Sequence, residues 1–268
     1  MFRQLRLAAF VVVALVVVTS CGRQENKESE LKIGTAGTYP PFEFRDGDKM
    51  CGLAMDVSRA VARDLGRKAT FEEMPFTLLL PALQTGSIDI AVSSFSITPE
   101  REKKYGMSIP YYYETLAVIY RKDTPILSKA DFAGKKIACC LGSTMEMWAR
   151  KNAPTAEITP TDTTPMAIEA LKTGRADAVL TDAAQASVYS KENKTLWYKV
   201  LERSGVGLGI VVKKSNKELL NAVNASLKKM VDSGELKKIQ DKWVDTSVDK
   251  ESQSVKGGES ISVESMHQ

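Results

Sequence analysis

The sequence predicts an α/β fold built twice over, and three observations carry that prediction. Short β-branched runs alternate with amphipathic stretches closed by glycine. The same order of elements returns in the second half of the chain. The segments "LQTGSIDIAVSS" (83–94) and "LKTGRADAVLTD" (171–182) set Leu, Thr, Gly and Asp at equal spacing, so Ser94 falls opposite Asp182. Alternation of this kind implies a largely parallel sheet covered by helices.

The amino terminus stands apart from this pattern. "MFRQLRLAAFVVVALVVVTSCG" holds two arginines, twelve apolar residues from Leu7 to Val18, then small residues and a cysteine. Twelve is short of the roughly twenty that a membrane-spanning helix needs, and the order is that of a secretory signal. Residues 1–20 therefore read as a signal peptide, and 21–30, with the polar run "RQENKESE", as a tether. "VTSC" resembles a bacterial lipobox, which makes Cys21 the lipidated first residue of the mature chain. A disulfide at Cys21 or an uncleaved anchor are the plainer accounts. Each acyl chain contributes about 0.8 kcal/mol per buried methylene, so several hold a protein stably on a membrane.

The folded elements follow in order. "LKIGTA" is a strand, "AMDVSRAVARDLG" an amphipathic helix closed by Gly66, "KATFEEM" a strand, "TLLLPALQTG" a helix closed by Gly86, and "SIDIAVSS" a strand. Thr98 suits an N-cap and Pro99 a first helical position, so a helix starts there. The second round runs "KKIACC", a helix from Ser143, a strand at "AEIT", a helix through "TPMAIEALKTG", and the strand "RADAVLTD". Residues 247–268 bury almost nothing and read as a disordered tail.

Composition excludes several functions. Residues 1–20 carry Arg3 and Arg6 and no acid, leaving 35 basic against 33 acidic side chains, or +2. Lysine pairs are scattered, so no nucleic-acid face is expected. Cys51, Cys139 and Cys140 remain after Cys21, an odd number that leaves a free thiol unless chains cross-link. Cys139 and Cys140, being adjacent, read as small apolar strand residues. No CxxC spacing offers a zinc site, and the lone His267 sits in the tail, so histidine catalysis and histidine metal ligation are not expected. No cofactor is implied.

Ligands of open α/β sheets bind beyond the carboxyl ends of the strands. Ser94 and Ser96, two apart, share a strand face, with Phe95 packed behind. Arg101 lies in the first turn of the next helix, where an acid is preferred. Either Glu100 and Glu102 neutralise it on a solvated surface, or it faces the same space as the serines. Gly142, Ser143 and Thr144 open a helix whose N–H groups attract anions, although Ser143 with Glu146 is also a capping box. Asp182 likewise has the plainer role of an N-cap. Together an arginine, several hydroxyls and one carboxylate surround a single gap. Arginine grips a carboxylate and aspartate an ammonium, which points to an α-amino acid.

At these residues the chain resembles the bacterial extracellular solute-binding proteins, family 3, of polar-amino-acid ABC transporters. "GTAGTYPPFEF", "SITPERE", "LGST", the "TD" at 181–182 and "NASLKKMVDSGELKKIQDKW" carry the resemblance, which spans Leu31 to Val244. It implies a type II periplasmic-binding-protein-like fold of two α/β lobes joined by two hinge strands. Lobe 1 would be 31–113 plus 208–246, lobe 2 114–207, with hinges near "YYET" and "GVGLG". The resemblance implies that Arg101 binds the ligand carboxylate with Ser96 and Thr144. Ser94 and Asp182 would hold the ammonium, and Tyr39 and Phe76 would wall the side chain, unless the two aromatics are only core packing.

Many such relatives with cationic ligands have aspartates where Ala36 and Ala54 stand, so a neutral side chain is expected, that of glutamine, histidine, methionine or another apolar amino acid, although Glu43 could still supply a charge. Cys140 stands where relatives often have a polar residue. The implied partners are a free amino acid, the permease subunits of an ABC transporter and, through Cys21, a membrane; the protein would be a monomer. Two alternatives share the fold. One is an exported cyclohexadienyl-dehydratase-like enzyme, for which Glu43, Glu114 and Asp182 are the candidate acids. The other is an amino-acid sensor. Binding without catalysis is the expectation.

Overall fold

A computed structural model describes residues 29–244. The signal segment 1–20, Cys21, the tether up to residue 28, the tail 247–268 and His267 lie outside the described residues. The first round of elements is β1 (Glu30–Thr35), a hairpin sheet of β2 (Thr38–Tyr39), β3 (Glu43–Asp46) and β4 (Lys49–Cys51), then α1 (Leu53–Asp64), β5 (Lys68–Glu73), α2 (Phe76–Thr85) and β6 (Ile90–Ser96). A short α3 (Pro99–Lys104) and β7 (Tyr105–Met107) lead into β8 (Tyr112–Arg121). The second round is β9 (Lys136–Cys140), α4 (Thr144–Asn152), β10 (Glu157–Thr161), α5 (Thr164–Lys172), β11 (Ala178–Asp182) and α6 (Ala183–Glu192). The 18-residue β12 (Leu196–Lys213), α7 (Lys217–Asp232) and α8 (Glu235–Trp243) complete the fold.

The repeat seen in the sequence is a repeat of structure. β1 pairs in parallel with β5 and β6, and β9 pairs in parallel with β10 and β11. Gly86 ends α2 in the left-handed conformation, at φ 80°, and Gly174 takes φ 74° just after α5. The repeated aspartates do the same work in each round. Asp89 accepts the Lys32 N–H at 2.9 Å and returns its own N–H to the Lys32 carbonyl at 2.9 Å. Asp177 exchanges the same two bonds with Lys136, at 2.9 and 2.8 Å. Each aspartate thus fixes the start of the neighbouring strand by satisfying a backbone donor.

One expectation needs correction. The sheet is parallel only towards its ends; the order β10-β9-β11-β8-β12-β6-β1-β5 puts two antiparallel strands, β8 and β12, in the middle. β12 runs against β8 from Leu196 opposite Arg121 to Leu208 opposite Tyr112, then continues against β6 and β7. The boundaries 113/114 and 207/208 therefore fall inside these two strands. A Cβ at Gly207 would sit 2.4 Å from the Pro110 side chain, and one at Gly209 2.9 Å from that of Ile97, so glycine at both positions lets β12 pass close beneath these side chains.

Separate cores lie at the two ends of the sheet. Leu31, Ile33, Leu53, Val57 and Val61 pack with Ile210, Val223 and Leu227 in the first. In the second, Val118, Ile137 and Leu180 pack on one face and Ile119, Ile168 and Leu171 on the other. Each fully buried side chain of this size contributes about 1.5–3 kcal/mol. α1 turns Leu53, Val57, Ala60 and Val61 inward, an i, i+4, i+7, i+8 stripe. On its outer side Asp56 accepts from Trp243 Nε1 at 2.8 Å and Lys242 Nζ at 2.7 Å, which ties α8 to α1.

Candidate functional site

Strand alternation alone does not explain how the serines of β6 are presented. Phe95 pairs with Gly209 and Ala91 with Val211, so β6 carries extra residues between these pairs, a bulge in which Ser94 adopts φ 49°. As a result Ser93, Ser94 and Ser96 all line one cavity. Ser93 and Ser94 donate to the two oxygens of Glu43, at 3.2 and 2.9 Å. Ser96 donates to Glu114 Oε2 at 3.1 Å and meets Thr144 Oγ1 at 2.8 Å.

Arg101 is positioned by its helix start. Thr98 Oγ1 accepts the Arg101 N–H at 3.3 Å, with Pro99 in the first turn, as expected. The guanidinium turns inward: Nη1 donates to the Ser96 carbonyl at 2.9 Å and Nη2 to the Gly142 carbonyl at 3.3 Å. Its carbon lies 5.2 Å from the ring centre of Phe95, which in turn stacks on Phe76 at 4.7 Å. Phe76, at the start of α2, also lines the cavity.

From the other side, β11 ends in Thr181 and Asp182. Asp182 is both an N-cap and a cavity residue: Oδ1 accepts the Ala184 N–H and Oδ2 the Thr115 N–H, each at 2.8 Å. Tyr39 reaches across from β2. Its hydroxyl accepts the Asp182 N–H at 3.1 Å and lies 3.0 Å from Thr181 Oγ1, which itself donates to Gln185 Oε1. At α4 the expected capping box is shifted. Ser143 Oγ accepts the Glu146 N–H, but the Glu146 carboxylate reaches back to the Gly142 N–H, one residue before the cap.

All seven ligand-site candidates, Tyr39, Phe76, Ser94, Ser96, Arg101, Thr144 and Asp182, line this cavity. Ala36 lines it too, whereas Ala54 is wholly buried in the first core and is not among the lining residues. Sequence reasoning did not select Ser93, Thr164 or Thr181, which also contribute. Ser93 was legible as a polar strand residue, but only the bulge turns it inward. Cys140 borders the cavity while Cys139 is buried; burial pushes their thiols up to about 11 and about 12, so both stay protonated and unreactive.

The cavity buries charged groups. Glu43 is 1 % exposed, Glu114 6 % and Asp182 1 %, with Arg101 the basic group among the lining residues. Burial pushes the Glu43 carboxyl well above the usual carboxylate range, against the pull of its two serine donors. Burial, and then the charge of Asp182, push Glu114 up to about 8, opposed by Ser96 and Arg101. Burial likewise lowers Arg101 from the usual guanidinium value.

The family described as bacterial extracellular solute-binding proteins, family 3, matches residues 31–246. The L-cystine-binding protein TcyJ of Escherichia coli (strain K12) is similar at 32 % identity over 224 residues, covering 82 % of this chain and 84 % of TcyJ. An ancestral arginine-binding protein, solved with arginine and with glutamine, is similar in structure, with TM-score 0.77 and 38 % identity over 81 % of this chain and 98 % of its own. The ancestral amino acid-binding protein AncCDT-1, a precursor of cyclohexadienyl dehydratase, gives TM-score 0.76 and 35 % identity, covering 81 % and 96 %.

Proposed function

The chain belongs to the bacterial extracellular solute-binding proteins, family 3, and from that premise we propose that it captures a free L-amino acid between two lobes and delivers it to the permease of an ABC transporter. One observation carries this reading. A guanidinium from the β6–α3 corner and a carboxylate from the β11–α6 corner face one cavity, the two poles a zwitterion needs. Arg101, Ser96 and Thr144 take the ligand carboxylate, Asp182 and Ser94 its ammonium, and Tyr39 and Phe76 flank its side chain. The lobes are 31–113 with 208–246, and 114–207, turning on β8 and β12. Cys21 carries a lipid that ties the mature chain to the membrane, through the tether 21–30. Among the described residues no helix is long and apolar enough to cross a membrane.

The side chain taken is neutral. Burial of Glu43 favours its neutral acid form, against its two serine donors, and so a polar uncharged ligand group such as an amide. The relatives bind cystine, arginine and glutamine, so these are the first ligands to compare. Calorimetric titration of the protein, refolded to strip bound ligand, tests the reading against all twenty amino acids and cystine. A neutral amino acid is expected to bind at micromolar Kd or tighter, about −8 kcal/mol, and Arg101→Ala is expected to lose it. Preference for arginine overturns the neutral side chain, and absence of binding overturns the amino-acid reading. The dehydratase alternative rests on Glu114 as a buried proton donor; loss of prephenate on incubation would support it, and recovery of unchanged ligand opposes it.

A further inference from the structure

Arg101 and Asp182, with their neighbouring hydroxyls, account for the two poles of an amino acid, but the cavity lining goes further, to Glu43, Cys140, Asp162 and Thr164. Three of these come from the second round: Cys140 ends β9, Thr164 opens α5, and Asp162 lies in the turn between β10 and α5. Bonds on both sides hold that turn. Before it, Thr161 pairs with Cys140 and its carbonyl accepts the Leu141 N–H at 2.9 Å. Across it the Thr161 hydroxyl donates to the Thr163 carbonyl at 2.9 Å, and Thr163 then caps α5. Cys140 Sγ lies 3.7 Å from the Asp162 carbonyl, so Asp162 is fixed at the cavity edge while its side chain stays exposed. Among the described residues its carboxylate has no hydrogen-bond or ion-pair partner, so the turn does not depend on it. Glu43 comes from the first round, opposite Tyr39 in the β2–β3 hairpin, and α5 packs against β2. Burial, then the charges of Asp162, Glu146 and Glu43, raise the Cys140 thiol, which agrees with both cavity acids standing near it.

We propose that Asp162 is a specificity-determining residue that accepts the side-chain N–H donors of the ligand, so that the cavity selects an amide over an apolar side chain of the same length. The inference deepens the amino-acid reading above and rests on it. A carboxylate can only accept hydrogen bonds, so it rewards a ligand that brings N–H groups and offers an apolar one nothing. An amide suits both acids at once: its oxygen meets Glu43 and its NH2 meets Asp162. An apolar side chain in the same place would also strip water from these groups without replacing its hydrogen bonds. The two acids belong to different rounds of the fold. The side chain is therefore checked from both sides only when the two rounds close on the ligand, and discrimination belongs to release rather than to capture.

Calorimetry and stopped flow with L-glutamine and L-methionine, which match in length and differ in N–H donors, test the proposal on the parent, Asp162→Ala and Asp162→Asn. The parent is expected to bind glutamine at least about tenfold more tightly than methionine. Asp162→Ala is expected to lose about five- to tenfold for glutamine through faster release, with methionine held within about twofold. Asp162→Asn keeps an acceptor oxygen and is expected to recover most of the glutamine affinity. Thermal unfolding of both variants should match that of the parent. Equal losses for the two ligands, no loss in Asp162→Ala, or a parent that prefers methionine overturn the proposal. L-Arginine, whose side chain also carries N–H donors, is the third probe. Preference for arginine overturns the neutral side chain alone, and Asp162→Ala must then weaken arginine more than methionine for the proposal to stand. Binding confined to amino acids without side-chain N–H donors overturns the proposal and leaves the amino-acid reading intact, whereas binding of none of the twenty overturns both.

Discussion

The end of β6 and the end of β11 are the same place in two rounds of one plan, yet they present opposite chemistry. Both follow a helix, a left-handed glycine and an aspartate that pins the neighbouring strand. Beyond that point β6 bulges, turns three serines inward and leads to Arg101, whereas β11 stays regular and stops at Asp182. The residues that build the frame repeat; those that face the cavity do not. A duplicated scaffold thus yields an asymmetric site, with a cation at one strand end and an anion at the other.

The largest effect should come from erasing that asymmetry. Arg101→Ala and Asp182→Asn are each expected to weaken ligand binding by about 3–5 kcal/mol, the cost of leaving a buried charge unpaired, as read by calorimetry. Asn at 182 keeps an oxygen for the Ala184 N–H but turns an NH2 on the Thr115 N–H, so its unfolding free energy should fall by about 1–3 kcal/mol, less than the loss in binding. Equal losses of stability and binding would reduce Asp182 to a helix cap.

Next comes the proton on Glu114. Its folded value lies above the unfolded one, so the stability it contributes is full below the ordinary carboxylate value of 4.5 and is lost as pH rises through about 8. Glu114→Gln should therefore be more stable than the parent at pH 9 by a few kcal/mol, order of magnitude only, with the gap closing below pH 5. Urea unfolding at the two pH values checks this.

The frame should respond symmetrically. Asp89→Ala and Asp177→Ala each remove the acceptor of an exposed backbone N–H, of Lys32 and of Lys136, and each should cost about 0.5–1.5 kcal/mol in unfolding free energy. Unequal costs would mean that the two rounds carry their load differently. The smallest effect belongs to the bridge between corners. Tyr39→Phe keeps the ring and deletes the hydroxyl that meets Thr181 and the Asp182 N–H. It should speed ligand release about 5–10-fold, near 1 kcal/mol, with little change in the association rate measured by stopped flow.

Much of this frame was legible because local rules build it. Glycine closes α2, Thr98 caps α3, and the spacing of Asp89 and Asp177 exposed the repeat before any coordinates. The middle of the sheet was not legible. β12 is interrupted by Gly205, Gly207 and Gly209 and pairs with irregular register, so no period of two marks it as one strand. The hairpin β2–β4 is too short to announce itself. Within the site, Arg101 stood out because a cation opens a helix. The serines that donate to Glu43 are 50 and 51 residues away and Ser96, which donates to Glu114, is 18 away, so which carboxylates share the cavity depends on packing.

β12 also orders events during synthesis. The first core draws Leu208, Ile210 and Val212 from β12, and Val223, Leu227 and Met230 from α7. All of these leave the ribosome after the whole second round. The half of the molecule that begins first can therefore finish its core only last, while the contiguous second half has its own residues in hand early. A nascent chain arrested before residue 208 should hold β9–β11 in native form, with β1 and α1 still waiting for their partners.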